Sequence, residues 1–256
     1  MTVHGNSSLN AKRNSVKLDL NKELAALDVE KALERVAGLF PGGAVFSSSF
    51  GQEDMVLTDL IYRNNLPVEI FTLDTGRLFQ ETYDLMDLTK ARYGHDFQVY
   101  FPDYRDVEDY VTHKGANAFY DSVENRKQCC FIRKVKPLQR ALKDRQIWIT
   151  GIRASQSENR SDLPMWEWDD TYQLYKFNPL LNWGYEDVLD YLKTHNVPYN
   201  KLHDRGFISI GCAPCTRAIE PGEQPRAGRW WWETSQKECG LHTHEAAPVS
   251  PEGNKA

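Results

Sequence analysis

Apolar and polar positions alternate between helix-like and strand-like spacing along the first two thirds of the chain. Residues 20–39 carry leucines and a valine at helix-like intervals among charged residues, and Pro41-Gly42-Gly43 ends this pattern. Short apolar runs then take turns with amphipathic segments. We expect helices over residues 20–39, 52–63 and 78–93, from about residue 104, and over residues 126–143 despite Pro137, with strands over residues 44–48, 68–73, 97–101 and 146–150.

This alternation predicts an α/β fold built on a doubly wound, mainly parallel sheet with helices on both faces. Ligands of such sheets bind beyond the carboxyl ends of the strands. The loops that begin near Ser47, Asp74 and Gly151 each follow a predicted strand. We therefore expect these three loops to open at the same edge of the sheet.

The pattern becomes less regular after Asp162. Trp166 and Trp168 stand among acidic residues and are expected in a loop. A strand is expected over residues 172–177 and a helix over residues 185–193.

Composition and charge exclude several classes of protein. The 256 residues suffice for one large domain with a terminal appendage, and 41% hydrophobic content allows a substantial core. A net charge of -5 argues against nonspecific nucleic-acid binding, so an anionic ligand needs a local basic patch. The polar N-terminus does not resemble a signal peptide, and no apolar run approaches the roughly 20 residues of a membrane span. We expect a cytoplasmic protein.

The first strand-end loop is rich in hydroxyl groups. It lies between a predicted strand and a predicted helix, so that hydroxyls and backbone amides would meet at a helix N-terminus, which suits an oxyanion. The alternative is an ordinary N-cap. The residues of this candidate anion site are Ser47, Ser48, Ser49, Phe50 and Gly51.

Two further loops add candidate binding residues. Leu73, Asp74, Thr75 and Gly76 form a turn in which glycine would let a backbone edge approach a flat base, although alone such a turn is often only a connection. The loop from Gly151 to Arg160 and Ser161 contributes cationic donors.

Five cysteines carry the most distinctive chemistry of the chain. Cys129 and Cys130 are adjacent, Cys212 and Cys215 are separated by two residues, and Cys239 is alone. Adjacent residues on a helix point about 100° apart, so the tandem pair converges poorly on one tetrahedral zinc ion, whereas the separate irons of a 4Fe-4S cluster can take separate thiolates. Zinc, a redox disulfide within the second pair and buried free cysteines remain open.

The order of these motifs resembles that of the iron-sulfur type of assimilatory adenylyl sulfate reductases, within the phosphoadenylyl sulfate/adenylyl sulfate reductase family. The resemblance extends over roughly residues 44–242. The matching segments are the serine-rich loop, the turn at residues 73–77, Lys127-Gln128-Cys129-Cys130, the loop at residues 151–161, Cys212 to Cys215, Arg226 to Glu233, and Lys237-Glu238-Cys239-Gly240-Leu241-His242.

The resemblance implies a reaction and a catalytic residue. The cysteine at the position of Cys239 attacks the sulfate sulfur of adenylyl sulfate, expels AMP and becomes S-sulfonated, and thioredoxin or a glutaredoxin-like dithiol then releases sulfite. The family pattern assigns the binding of the phosphosulfate group to Lys134, Arg160, Arg226 and Arg229. For Lys134 alone, a solvated surface charge is the competing interpretation.

The resemblance also implies the cofactor and the organisation of the chain. It assigns a 4Fe-4S cluster to Cys129, Cys130, Cys212 and Cys215. The cluster's role would be structural and electrostatic and would be exerted through Lys134. The resemblance also implies the adenine nucleotide alpha hydrolase-like (PP-loop) type of sheet. The chain ends soon after His242, without the fused thioredoxin-like domain of plant-type enzymes, so a separate reductant is implied. The expected parts are a flexible N-terminus (1–17), a nucleotide-binding and iron-sulfur domain (18–225), a mobile catalytic segment (226–242) and a disordered tail (243–256).

Three alternatives accompany this hypothesis. Phosphoadenylyl sulfate could be the substrate of the same chemistry, although family members with all four cluster cysteines generally take the unphosphorylated nucleotide. A PP-loop ATP pyrophosphatase or tRNA thiolase usually shows Ser-Gly-Gly-x-Asp-Ser, which residues 47–54 do not match. An iron-sulfur sensor would not require the motif around Cys239. Neither a nucleic acid nor a membrane is expected as a partner, and a homo-oligomer is left open.

Overall fold

The computed structural model describes residues 20–156, 160 and 162–233. Its strands are β1 (Ala44–Ser47), β2 (Glu69–Leu73), β3 (Gln98–Tyr100), β4 (Ile147–Ile149), β5 (Trp166–Asp169) and β6 (Leu174–Phe177). Its main helices are α1 (Val29–Leu39), α2 (Gln52–Arg63), α3 (Gln80–Tyr93), α4 (Tyr104–Lys114), α5 (Val123–Cys130), α6 (Lys136–Leu142) and α7 (Tyr185–Thr194). None of these helices is long and apolar enough to cross a bilayer.

One six-stranded sheet organises this part of the chain, in the order β3-β2-β1-β4-β6-β5. All neighbouring strands are parallel except β5 and β6, which are antiparallel. Strand β1 therefore lies between β2 and β4, and the carboxyl ends of all three meet at one edge. The predicted mainly parallel α/β fold is confirmed.

Helices cover both faces of the sheet. Successive side chains of each strand point to opposite faces, and apolar side chains on both faces are buried by these helices. On one face, Phe46 and Ile149 pack with apolar residues of α1, α2, α3 and α7. On the other face, Val45 and Trp148 pack with residues of α6, such as Leu138. The two cores hold the sheet rigid beneath the loops that follow its strands.

The expectation that Trp166 and Trp168 lie in an acidic loop is wrong, because both lie in β5. Trp166 is fully buried, and its ring stacks on Tyr175 with centroids 4.8 Å apart. The acidic composition is accommodated by pairing across the strands, where the Lys176 ammonium lies 3.4 Å from the Glu167 carboxylate.

The helix expected over residues 20–39 is interrupted. Residues 20–25 are helical, and α1 begins anew at Val29. The Asp28 carboxylate accepts a hydrogen bond of 2.8 Å from the Lys31 backbone N–H, which is the N-cap that starts a new helix.

The helix expected over residues 126–143 begins earlier and changes its hydrogen bonding. Between α5 and α6, the residues Phe131–Val135 form a π-helix, and the Lys136 N–H donates to the Phe131 carbonyl. Pro137 follows in the first turn of α6, where the missing N–H costs little. The π-helix directly follows the cysteine pair at the end of α5.

Candidate functional site

A cavity of about 480 Å³ opens where β1, β2 and β4 end. Its volume lies within the range of small-molecule sites. The structure brings together most of the predicted binding residues in its wall: Ser47, Ser48, Ser49, Gly51, Leu73, Thr75, Lys134, Gly151, Arg160, Arg226 and Arg229. Phe50, Asp74 and Gly76 are not among the lining residues, and Ser161 and Cys239 lie outside the described residues.

The serine-rich loop is held rigidly by its own hydroxyl groups. Trp148 Nε1 donates to Ser47 Oγ at 2.8 Å, and the Phe50 N–H donates to Ser48 Oγ at 3.2 Å. Phe50 has a φ of 58°, a conformation that turns the loop sharply and that few bulky residues adopt. Its ring packs against Phe97, so Phe50 shapes the loop from the core side. Gly51 then precedes α2, whose N-terminus faces the cavity.

Asp54, in the first turn of α2, is a buried carboxylate in the cavity wall. The Ser49 N–H and hydroxyl donate to Asp54 Oδ2 at 2.6 and 2.7 Å. Burial nevertheless raises the pKa of Asp54 to about 6, because desolvation outweighs these hydrogen bonds. A Cβ atom on Gly151 would lie 2.1 Å from Asp54 Oδ1, so glycine is required for this close approach.

The turn after β2 links the cavity to the cysteines. Asp74 stabilises the turn by accepting hydrogen bonds from the Gly76 N–H at 2.7 Å and from the Tyr83 hydroxyl at 3.0 Å. Thr75 Oγ1 lies 3.2 Å from Cys212 Sγ. Asp74 and Gly76 therefore fix the backbone that presents Thr75 to the cavity.

Several cationic side chains surround the cavity. Arg229 is 6% exposed, and its Nη1 contacts Ser209 Oγ at 3.3 Å and the Ile210 carbonyl at 3.2 Å, while its buried Nε has no partner. A Cβ on Gly211 would lie 2.3 Å from Arg229 Nη2, so the glycine makes room for this guanidinium. Arg160 donates to Gln156 Oε1 in the same wall.

The four predicted ligand cysteines line a second, smaller cavity of about 20 Å³. The end of α5 supplies Cys129 and Cys130, and a short helical turn, Ala213–Cys215, supplies the other pair. This turn is fixed by the Ala213 N–H, which donates to the Arg77 carbonyl at 2.8 Å. Of the described residues, only Lys134 and Cys212 line both cavities.

All four cysteines are free thiols. Burial raises the pKa of Cys129 and that of Cys215, the latter to about 12. No three of the described His, Cys, Asp and Glu side chains are arranged to hold a single metal ion, although the four thiols surround one cavity. Separate ligand positions around a common space fit a cluster of several irons better than one zinc ion.

The start of the predicted catalytic segment packs beside the cysteines. Trp230 is buried against Phe119, Cys130 and Cys215, whereas Trp231 is 40% exposed. The tryptophan run therefore contains both a core residue and a surface residue. Arg126 forms a buried ion pair with Glu233, the last residue described.

The cavity wall also contains residues that were missing from the predicted site, His203 among them. Arg153, which belongs to the predicted cationic loop, is paired with Glu53 at 2.8 Å, and both ring nitrogens of His203 are buried. Burial lowers the pKa of His203, and the Glu53 carboxylate opposes this shift. His203 stands in Asn200 to Asp204, a stretch without a recognisable motif, so only the folded structure reveals its position.

The fold and the cavity define a mainly parallel α/β protein with a ligand site beyond the carboxyl ends of its strands. The chain belongs to the phosphoadenosine phosphosulfate reductase domain family, whose model matches residues 43–218. This confirms the resemblance found in the sequence and disfavours the ligase, thiolase and sensor alternatives.

Named relatives match most of the chain. An adenosine 5'-phosphosulfate reductase of Allochromatium vinosum is 51% identical over 213 residues, which is 83% of this chain and 83% of that protein. One from Agrobacterium fabrum is 47% identical over 252 residues, 98% of this chain and 95% of that protein. The crystal structure of a phosphoadenylyl-sulfate reductase from Candida auris, as a phosphate complex, aligns with a TM-score of 0.68 at 31% identity, covering 78% of this chain and 95% of the other.

Proposed function

We propose that this protein reduces adenylyl sulfate to sulfite and AMP in assimilatory sulfate reduction, with thioredoxin or a glutaredoxin-like dithiol as the reductant. The observation that carries this proposal is a pair of adjacent cavities. One has a cationic wall and the other is lined by four cysteines, and Lys134 and Cys212 line both. Named adenosine 5'-phosphosulfate reductases about half identical to the chain support the choice of substrate. The proposed location is the cytoplasm, where a reducing environment would keep the cysteines available as thiolates.

The larger cavity would hold the nucleotide. In this arrangement, the serine-rich loop and the N-terminus of α2 bind phosphate oxygens, because backbone N–H groups and the helix dipole favour anions there. The backbone at Leu73 and Gly151 flanks the adenosine. The sulfate group lies toward the cationic wall, where charge-assisted hydrogen bonds from Lys134, Arg160, Arg226 and Arg229 orient it.

Cys239 would be the nucleophile. Its thiolate attacks the sulfate sulfur, the bond from that sulfur to the bridging oxygen breaks, and AMP leaves with the electron pair. A thiolate of the reductant then attacks Cys239 Sγ and displaces sulfite, and the second reductant thiol resolves the mixed disulfide. The two thiols supply both electrons. The segment 226–242 would bring Cys239 to the cavity and then present it to the reductant.

Cys129, Cys130, Cys212 and Cys215 would hold a 4Fe-4S cluster. Four thiols around one cavity are the donor set that such a cluster takes. When bound, the cluster would supply a polarisable charge beside the cationic wall rather than transfer electrons. The chain's own residues bind and orient the substrate, and Lys134 stands between the two sites.

A second candidate, reduction of phosphoadenylyl sulfate, is favoured by the solved relative from Candida auris. Sulfite release from the two nucleotides, with and without thioredoxin, discriminates between them. We expect a higher kcat/KM for adenylyl sulfate and no turnover without the dithiol. An equal or higher kcat/KM for the phosphorylated nucleotide would reject the substrate assignment.

Two chemical measurements test the assigned residues. Wild-type protein given adenylyl sulfate without reductant should gain one sulfonate on Cys239, located by peptide mass spectrometry, and Cys239→Ser should gain none. Anaerobic analysis should find iron and sulfide in the ratio of one 4Fe-4S cluster per chain. Zinc without sulfide would reject the cluster, and a sulfonate on another cysteine would reject the nucleophile.

A further inference from the structure

Arg126 and Glu233 form an ion pair that is buried almost completely. Their side chains are 1% and 4% exposed, although the two residues are 107 positions apart in sequence. Arg126 Nε donates to Glu233 Oε1 at 2.7 Å, and Nη2 donates to Oε2 at 2.9 Å. This two-point geometry fixes the direction of the contact as well as its distance.

The pair joins two segments that meet at the cysteines. Arg126 lies on α5, one helical turn before Cys129 and Cys130, and its guanidinium also makes a side-chain hydrogen bond with Cys130. The same guanidinium lies 4.7 Å from the centre of the Trp230 ring. Glu233 is held in turn by its N–H, which donates to the Trp230 carbonyl at 2.9 Å.

A buried ion pair contributes little net free energy to the stability of a fold. Removing two charges from water costs several kcal/mol, and well-packed apolar residues often serve as well or better. The best-attested use of such pairs is to fix one arrangement of two segments against others. The ion pair here fixes the exit of the chain toward Cys239, which follows Glu233 by six residues.

We propose that Arg126 and Glu233 are positioning residues that anchor the base of the segment bearing Cys239 onto the helix bearing the first cysteine pair. This inference rests on the proposed role of Cys239 as nucleophile. Six residues span at most about 20 Å, so the anchor sets an upper limit on the distance from Glu233 to Cys239. Without it, the next fully buried residue upstream is Trp230, which packs against Cys130 and Cys215, nine residues from Cys239.

The change in tether length sets a lower bound on the effect. Extending the tether from six to nine residues lowers the local thiol concentration by a little under twofold, since that concentration falls roughly as the −3/2 power of length. Without the anchor the chain also no longer leaves Glu233 in one fixed direction, which lowers the local thiol concentration further. We therefore expect the covalent step to slow about tenfold when the anchor is broken, with nucleotide affinity nearly unchanged.

The experiment is a single-turnover reaction of the cluster-loaded protein with adenylyl sulfate, without reductant, followed by intact mass. Glu233→Gln should form the Cys239 sulfonate about tenfold more slowly than wild type, while AMP binding by calorimetry stays within about twofold. Glu81→Gln, which breaks the exposed pair with Arg205, is the matched control and should react at the wild-type rate. Iron content and absorption spectrum should match wild type in both variants.

A second variant keeps the inference testable if Glu233→Gln folds poorly. Arg126→Lys keeps the positive charge beside Cys130 but loses the fork that binds both carboxylate oxygens, and it should also slow the step. In the double variant the two losses should not add, because each breaks the same contact.

The outcomes separate the two claims. Additive losses, a wild-type rate in Glu233→Gln, or an equal loss of AMP affinity would overturn the anchor while leaving Cys239 as the nucleophile. Absence of a sulfonate on Cys239 in wild type would overturn both claims.

Discussion

Thr75 Oγ1 lies 3.2 Å from Cys212 Sγ, and this contact joins the strand-end loops to the cysteine site. Thr75 is buried at the end of β2, and its carbonyl accepts a hydrogen bond of 2.6 Å from Arg133 Nη1. The Thr75 side chain thus contacts a proposed ligand that lies in the wall of the larger cavity. A change at the cysteines can therefore reach the proposed nucleotide site through this hydroxyl group.

Thr75→Val should alter the cluster more than the fold. The substitution keeps the shape but removes a hydrogen bond to a ligand sulfur, which is one of the factors that set the potential of an iron-sulfur cluster. We expect a lower midpoint potential in redox titration and a modest loss in kcat/KM. Thr89→Val, at a buried threonine that bonds the Leu85 carbonyl within α3, is the control and should leave the potential unchanged. Equal potentials in both variants would contradict this role.

Arg229→Ala should lower kcat/KM by one to two decades. A hydrogen bond to a charged group contributes about 1.5–3 kcal/mol to binding, and the substitution removes such a bond. The buried Nε of Arg229 is available to donate it to the substrate. Arg226→Ala should lose a similar amount. Arg217→Ala, which removes a partly exposed pair with Glu223 outside the cavity wall, should stay within about twofold. Unchanged kinetics for both cavity variants would place the sulfate elsewhere.

Asp54 should make stability depend on pH in an unusual direction. Because its pKa is raised to about 6, the folded protein holds a proton that the unfolded chain has released above about pH 4. Its stabilising contribution is therefore full at low pH and is lost as the pH rises through 6. The Asp54→Asn variant has no titrating group at this position, so it does not lose this stability as the pH rises.

The Asp54→Asn difference can be measured against wild type by thermal unfolding at pH 4.5 and pH 7. The variant should gain about 2 kcal/mol relative to wild type between these pH values, or about 4–8 °C in Tm for a chain of this size. An offset in Tm that does not change with pH would show that the carboxyl group titrates near its ordinary value.

His203→Ala should weaken nucleotide binding without unfolding the protein. The ring of His203 lies in the cavity wall with both nitrogens buried, where one of them can bond a group of a bound nucleotide. One hydrogen bond of the neutral ring corresponds to about a 2- to 10-fold rise in KM. His203→Asn should recover part of the loss, and His113→Ala, at an exposed histidine on α4, should have no effect. A fall in Tm with unchanged KM would indicate a packing role instead.

The sequence-based predictions succeeded where the physics is local or is set by sheet topology. Ser47, Leu73 and Gly151 could be placed together because the ends of parallel strands share an edge. The four cysteines of the smaller cavity could be grouped because the family pattern assigns them together, whereas their spacing alone left zinc, a disulfide and free cysteines open. Family membership then followed from the order of these motifs.

The failures concern contacts between distant parts of the chain. The β5 strand was mistaken for a loop because Glu167 looked like a solvated charge, whereas its partner Lys176 lies on the neighbouring strand. His203 and the ion pair between Arg126 and Glu233 have no local signal. Their positions depend on packing over more than a hundred residues.

The π-helix between Cys130 and Pro137 makes the local structure depend on the number of residues in this part of the chain. A π turn holds one residue more than the α turn that it replaces, so deleting one residue there would restore regular α-helix. The cysteine pair would then keep its orientation about the helix axis relative to α6, which is packed on the sheet, because the wide turn had absorbed the extra residue. Single-residue deletions at Phe131–Val135 would thus displace Arg133 and Lys134, which lie in the widened turn, while leaving both cysteines on the same side of the helix.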